Sequence, residues 1–253
     1  MSARQSGGTP GLITRRNVLT AAVALAVAGP LVAADEAEAW LPKSVAGIAI
    51  PRTPLARAAA ALSRRAGSAF LFNHCMRTFI FGALHVKFHG LTYEDEPAFV
   101  AAALHDLGLL AEYESADLSF EVDSANAAEK LALEHGAAAA ESGLIWSAAV
   151  MHDLRASIVF RQSPTVLLVA AGAGADVIGP DPAMIPPERT REVLQAFPRL
   201  GFKKKFQALL TDHCHRKPTS QSGTWLDSYC RAAVPGAVFP STAAKIDAAP
   251  FAD

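Results

Sequence analysis

Small and apolar residues return every three to four positions along most of the chain beyond Trp40, and polar residues fill the intervals. In "TPLARAAAALSRR" this period follows a ready helix start. The Thr53 hydroxyl can accept an orphan backbone N–H, and Pro54 suits the first helical position. The same periodicity predicts helices over 55–65, 68–87, 94–109, 124–135, 141–152, 165–177, 188–197, 203–215 and 224–233. Chain breakers fall between these runs, among them Gly90, Gly136, Gly179-Pro180, Pro186-Pro187 and Pro218. Nothing alternates with a period of two. The expectation is an all-α, single-domain helical bundle over residues 40–253, without internal repeats and with short links that set neighbouring helices roughly antiparallel.

The first 39 residues do not share that pattern. "TRRNVL" at 14–19 is followed by an uncharged, alanine-rich stretch to Ala34, and Ala37-Glu38-Ala39 then precedes Trp40. Charged start, apolar middle and small-residue cleavage site are the order of an export signal. The arginine pair resembles the twin-arginine type, with Val18 where phenylalanine is usual, which implies export of an already folded protein by the twin-arginine machinery. The run is barely membrane-length and is interrupted by Gly29-Pro30, so a stable membrane anchor is not expected. Cleavage near Ala39 leaves a periplasmic or extracellular protein.

Composition narrows the picture further. Apolar residues make up 51% of the chain and charged ones 19%, enough for a sizeable core, and the net charge of −1 provides no field for nucleic acid. Lys203, Lys204 and Lys205 form the densest basic run. Cys75, Cys214 and Cys230 are too widely spaced for a zinc motif. They allow at most one disulfide, Cys214 with Cys230, and the expectation is that the thiols stay reduced and buried, as they often do even in exported proteins.

The candidate chemistry lies in four ionisable groups on strongly apolar helices. His74 sits within "FLFNHCMRTFIFG", His105 and Asp106 close "FVAAALHDLGL" with Gly108 placed to end the helix, and Asp176 ends "TVLLVAAGAGADVIG". Burying such groups singly is unfavourable, and burying them around a cation is not. Two imidazoles and two carboxylates suit a divalent Fe, Zn or Mn ion.

The order His, His-Asp, Asp on helices resembles the HD superfamily of metal-dependent hydrolases. "FNHCMRTF", "AALHDLGL", "FEVDSANAAEKLALEHG", "IWSAAVMHD" and "AGAGADVIG" are similar to its cyanamide hydratase-like branch, from about Ser68 to "RKP" at 216–218 and again at "APFAD". The resemblance implies an HD-type bundle, metal ligands at His74, His105, Asp106 and Asp176, and further pocket histidines at His135 and His152. Cys75 stands where the branch commonly has serine, and Asp153 where it has threonine or glutamine.

A metal-activated water is then the expected nucleophile, with Asp106 fixing the metal and His135 or His152 moving the proton. Many phosphohydrolases of the superfamily carry a lysine within one turn of the His-Asp pair, where this chain has Leu109. Hydration or hydrolysis of a small neutral nitrile- or amide-like compound therefore leads, with Phe72, Phe79 and Phe81 as expected pocket walls. The alternative is a phosphomonoesterase or phosphodiesterase on a small nucleotide, using Arg77 or Arg155 as the phosphate clamp. A helical binding protein without a metal is the third reading. His85 and His89 are expected at the surface, and His213 and His215 at a solvated helix end.

Overall fold

In the computed structural model, residues 41–239 and 241–250 are described. The export signal expected over 1–39 lies outside them, as do the last residues of "APFAD". The helical expectation holds: a single bundle of helices accompanied by one two-stranded hairpin.

That hairpin pairs β1 (Ser44–Val45) with β2 (Ile48–Ala49) in antiparallel register. Ala46 and Gly47 both have positive φ, 51° and 76°, as a tight two-residue hairpin turn requires. Strands of two residues are too short to show alternation. Thr53 caps α1 (Pro54–Ala66) through a bond from the Ala56 N–H, with Pro54 in the first turn, as the sequence predicts.

The centre of the molecule is α2 (Ala69–Phe88) packed along α7 (Pro164–Ile178). Glycine makes that contact close: a Cβ at Gly82 would stand 2.0 Å from the Leu168 carbonyl oxygen, and one at Gly172 would stand 1.9 Å from that of Thr78. Around this pair lie α3 (Asp95–Leu104), α4 (Phe120–Glu134) and α5 (Ala139–Val150), which enclose a large core that includes Phe79, Phe81, Phe99, Leu104 and Leu168. The one-turn α6 (Ala156–Val159) precedes α7, and α8 (Pro187–Ala196) contributes Val193 and its following Phe197 to the same core.

A second, smaller core forms where α9 (Phe202–Arg216) and α10 (Asp227–Ala233) meet α4 and a short 3-10 turn, Leu107–Leu109. Phe120, Phe202, Phe206 and Leu210 fill it, each burial worth about 1.5–3 kcal/mol. α11 (Thr242–Asp247) follows. Cys214 and Cys230 are joined across this core, against the expectation of free thiols, because the turn between α9 and α10 brings their Cα atoms to 5.1 Å. Closing a loop with a sequence separation of 16 stabilises by about 3 kcal/mol through the unfolded chain. Cys75 stays free and buried.

Two departures from the periodic reading matter for function. α4 starts at Phe120, four residues before the predicted Ser124, and α3 stops at Leu104, before the histidine. Gly108 does not terminate a long helix. It admits the first turn of α4, since a Cβ there would lie 2.2 Å from the Phe120 carbonyl oxygen, and its N–H donates to Ser124 Oγ. No helix among the described residues is long and apolar enough to cross a membrane.

Candidate metal centre

Because α3 ends at Leu104, His105 and Asp106 occupy a turn in which Asp106 takes φ −109°, ψ 8°. In a continuous helix adjacent side chains diverge by about 100°. The break lets both point at one spot, where His74 from α2 meets them. His74 lies on the seam of the two cores, with its ring stacked on Phe202 at 4.9 Å, while its neighbours Cys75 and Met76 belong to the larger core.

His74, His105 and Asp106 form a buried group that can hold a metal ion. His74 Nε2 is 3.3 Å from both His105 Nε2 and Asp106 Oδ2, and His105 Nε2 is 3.4 Å from that oxygen. Those separations match the edge of a tetrahedron with metal bonds of roughly 2.0–2.1 Å.

Hydrogen bonding on the far sides of the rings fixes what the near sides offer. His74 Nδ1 donates to Asp176 Oδ2 at 2.7 Å, and His105 Nδ1 donates to the Ala102 carbonyl at 2.8 Å. His152, 6% exposed, donates from Nδ1 to the Ala149 carbonyl at 2.7 Å, which leaves its Nε2 3.7 Å from Asp106 Oδ1. The Nε2 atoms of His74, His105 and His152 thus converge on a carboxylate whose Oδ2 is buried without a well-formed hydrogen bond. A proton on His74 Nε2 eases the approach of these groups, and a metal cation at their centre would do the same.

The electrostatics describe the metal-free cluster. Burial pushes His105 down to about 3, with His152 and His74 adding to the effect against the pull of Asp106, so the ring is neutral. Burial alone would raise Asp106, but the surrounding His105, His74 and His152 hold it well below the usual carboxylate range. For His74 burial depresses the pKa, and the bonds and charges of Asp106 and Asp176 together outweigh it and leave the value raised.

Asp176 is placed differently from the expectation. Its four lone-pair positions are taken by His74 Nδ1, by Arg77 Nε and Nη2 at 2.7 and 2.8 Å, and by Arg199 Nη1 at 2.9 Å. It supports His74 from behind instead of joining the group of three. The close approach of α2 and α7 at Gly172 creates this arrangement, since it brings Asp176 over His74 and the residue one turn on, Arg77. That same lock removes Arg77, fully buried, from the role of phosphate clamp.

His135 is exposed at the end of α4, with Nδ1 on the Leu131 carbonyl, and does not line the cavity at the cluster. His152 does line it. Phe72, Phe79 and Phe81 are core residues and not cavity walls; Phe120, Phe206 and Trp225 are the aromatic walls. Leu109 is fully buried in the smaller core and faces no substrate space. His85 is half-buried and lines the cavity, so it is more than a surface residue. His213 is buried against Gln221, whereas His215 is exposed as expected. Arg155 lies exposed at the cavity, as one clamp candidate should.

Sequence reading missed Arg199, Phe202 and Phe206. The "FKKKF" spacing puts the two phenylalanines on one helix face, and only the fold places that face against His74. It also missed Glu121, buried near Asp153 with neither carboxyl oxygen in a well-formed hydrogen bond. Burial above all pushes Glu121 up to about 8, opposed by a bond from Ser119 and aided by the charge of Asp153. No family model matches this chain, and no curated protein matches it.

Proposed function

We propose that the protein is a metal-dependent hydrolase or hydratase of the HD type, acting on a neutral nitrile- or amide-like nitrogen compound in the cavity beside His74, His105 and Asp106. One observation carries the reading: His74 Nε2, His105 Nε2 and Asp106 Oδ2, all buried, lie 3.3–3.4 Å from one another, the spacing of three ligands on one small divalent ion. Two histidines and one carboxylate that leave positions open are the donor set of catalytic Zn or Fe(II) centres, whereas structural sites are closed by four protein ligands. When bound there, a divalent ion would lower the pKa of water and polarise the electrophile.

The chain's own residues supply the rest. Asp176 and the Ala102 carbonyl orient the two ligand rings, each from its Nδ1 side, which raises their basicity and resists rotation. His152 is the base in this reading: its Nε2 lies 3.7 Å from Asp106 Oδ1 and its side chain lines the cavity. Phe120 and Phe206 exclude water beside the cluster. Export belongs to the same reading, and the Cys214–Cys230 disulfide supports it, since such bonds persist in oxidising compartments.

The phosphoesterase alternative retains Arg155 at the cavity and loses Arg77. The test is metal analysis of purified protein together with turnover of cyanamide, small nitriles, amides and p-nitrophenyl phosphates, with Fe, Mn or Zn added. About one equivalent of metal, lost with activity in Asp106→Ala, is the expected result. Activity lost and metal kept is expected for His152→Ala. Wild-type metal content in Asp106→Ala would overturn the assignment, and turnover of phosphate esters alone would favour the alternative.

A further inference from the structure

The cavity that holds the cluster extends well beyond it. His74 and His85 both line it, and they stand eleven residues apart on α2, about 16 Å at the 1.5 Å rise of a helix. Its volume of 510 Å³ is in the range that encloses a drug-sized ligand. A molecule as small as cyanamide would leave most of it unfilled.

The walls between the ends are apolar and low. α7 contributes Ala170, Ala171, Ala173 and Gly174, and the connection after it contributes Met184 and Ile185. The charged lining residues away from the cluster, Asp153, Arg155 and Asp181, belong to the connections that follow α5 and α7. Two of them are already engaged: Asp153 accepts the Trp225 N–H and Asp181 that of Ala183.

Gly174 separates the cavity from ordinary helix packing. Gly82 and Gly172 are required by backbone contact, but a Cβ at Gly174 would meet no atom within 4 Å. Glycine is the poorest helix former after proline, so its place in the middle of α7 is not explained by the helix. What it does is leave a trench open beside the cluster. Beyond Asp176, at the end of α7 away from His85, Ile178 lines the cavity and is exposed, as are Leu154 and Trp225, so the approach to the cluster is apolar too.

We infer that the centre takes an elongated, mainly apolar substrate, its reactive group at His74, His105 and Asp106 and its hydrocarbon body along the α7 trench toward His85. This rests on the metal-dependent reading above and names the substrate class for it. Shape and polarity carry it, since an apolar chain gains affinity with each methylene taken from water.

The experiment titrates n-alkyl hydroxamic acids, from the acetyl to the dodecyl member, against the full chain in zinc-loaded and chelator-stripped forms. Binding is expected to tighten about fourfold per methylene in both forms until the trench is filled. Zinc should add a constant factor at every length, because the headgroup chelates. Gly174→Leu, which improves helix propensity, should abolish the gain from longer chains. Binding that does not depend on chain length, or a chain-length gain that survives in Gly174→Leu, would overturn the inference. A chain-length gain with no zinc factor supports the trench and overturns the metal reading instead.

Discussion

His74 is held between two carboxylates, and the difference between them is testable at single residues. Asp106 offers an oxygen with no donor, whereas Asp176 is saturated by His74, Arg77 and Arg199. Asp176→Asn leaves Arg77 buried without its counter-charge, so a loss of about 3 kcal/mol or more is expected in denaturant unfolding. Metal affinity should weaken about 10–100-fold while saturation stays reachable, as for other carboxylates that orient a ligand histidine. Complete loss of metal would place Asp176 among the ligands. Glu121 supplies a pH test. Its folded pKa lies above its unfolded value of about 4.3, so its contribution is full below that value, declines as pH rises, and is gone above about 8. Wild-type melting temperature should therefore fall between pH 5 and pH 8 relative to Glu121→Gln. Parallel curves would remove the buried acid from the account. His74, His105, Asp106 and His152 were legible from residue type and setting. Arg77 and Arg199 as the partners of Asp176 were not, because those contacts span 99 and 23 residues and leave no local pattern.

Elements contribute through where they stop and how closely they approach. Ending α3 at Leu104 gives adjacent residues a common target, which a helix drawn through 109 would deny them. The close α2–α7 contact brings Asp176 behind His74. The glycines of α7 make the contrast measurable. Gly172→Ala must push the helices apart, so destabilisation of roughly 3 kcal/mol or more is expected. Gly174→Ala fills open space and should stabilise by roughly 0.5–1 kcal/mol. Equal effects in thermal or denaturant unfolding would show that the two positions do not differ. The helices themselves were readable from their period, and α4 was begun one turn late because its first turn alternates Phe120, Glu121, Val122 and Asp123 without a helical period, although Ser119 and the two acids mark its start.

At the scale of the molecule, two cores meet at one seam, and the site occupies it. The smaller core, stapled by Cys214–Cys230, brings Phe202 and Phe206 over His74 and completes the cavity wall. A disulfide suits an exported protein, and the arginine pair near the N-terminus gives the matching experiment: replacing Arg15 and Arg16 by lysine is expected to hold the protein in the cytoplasm, assayed by cell fractionation. Normal export of that variant would indicate a general secretory route. The sequence by itself determined the helical class, most helix positions and which ionisable groups sit in apolar surroundings, because period and composition are local properties of the chain. Only the tertiary structure decided that Asp176 bonds His74, Arg77 and Arg199, that His135 stands apart, that the cysteines join, and that an apolar cavity runs beside the cluster. Each of these depends on distances between segments remote in sequence, set by how closely two helices can pack.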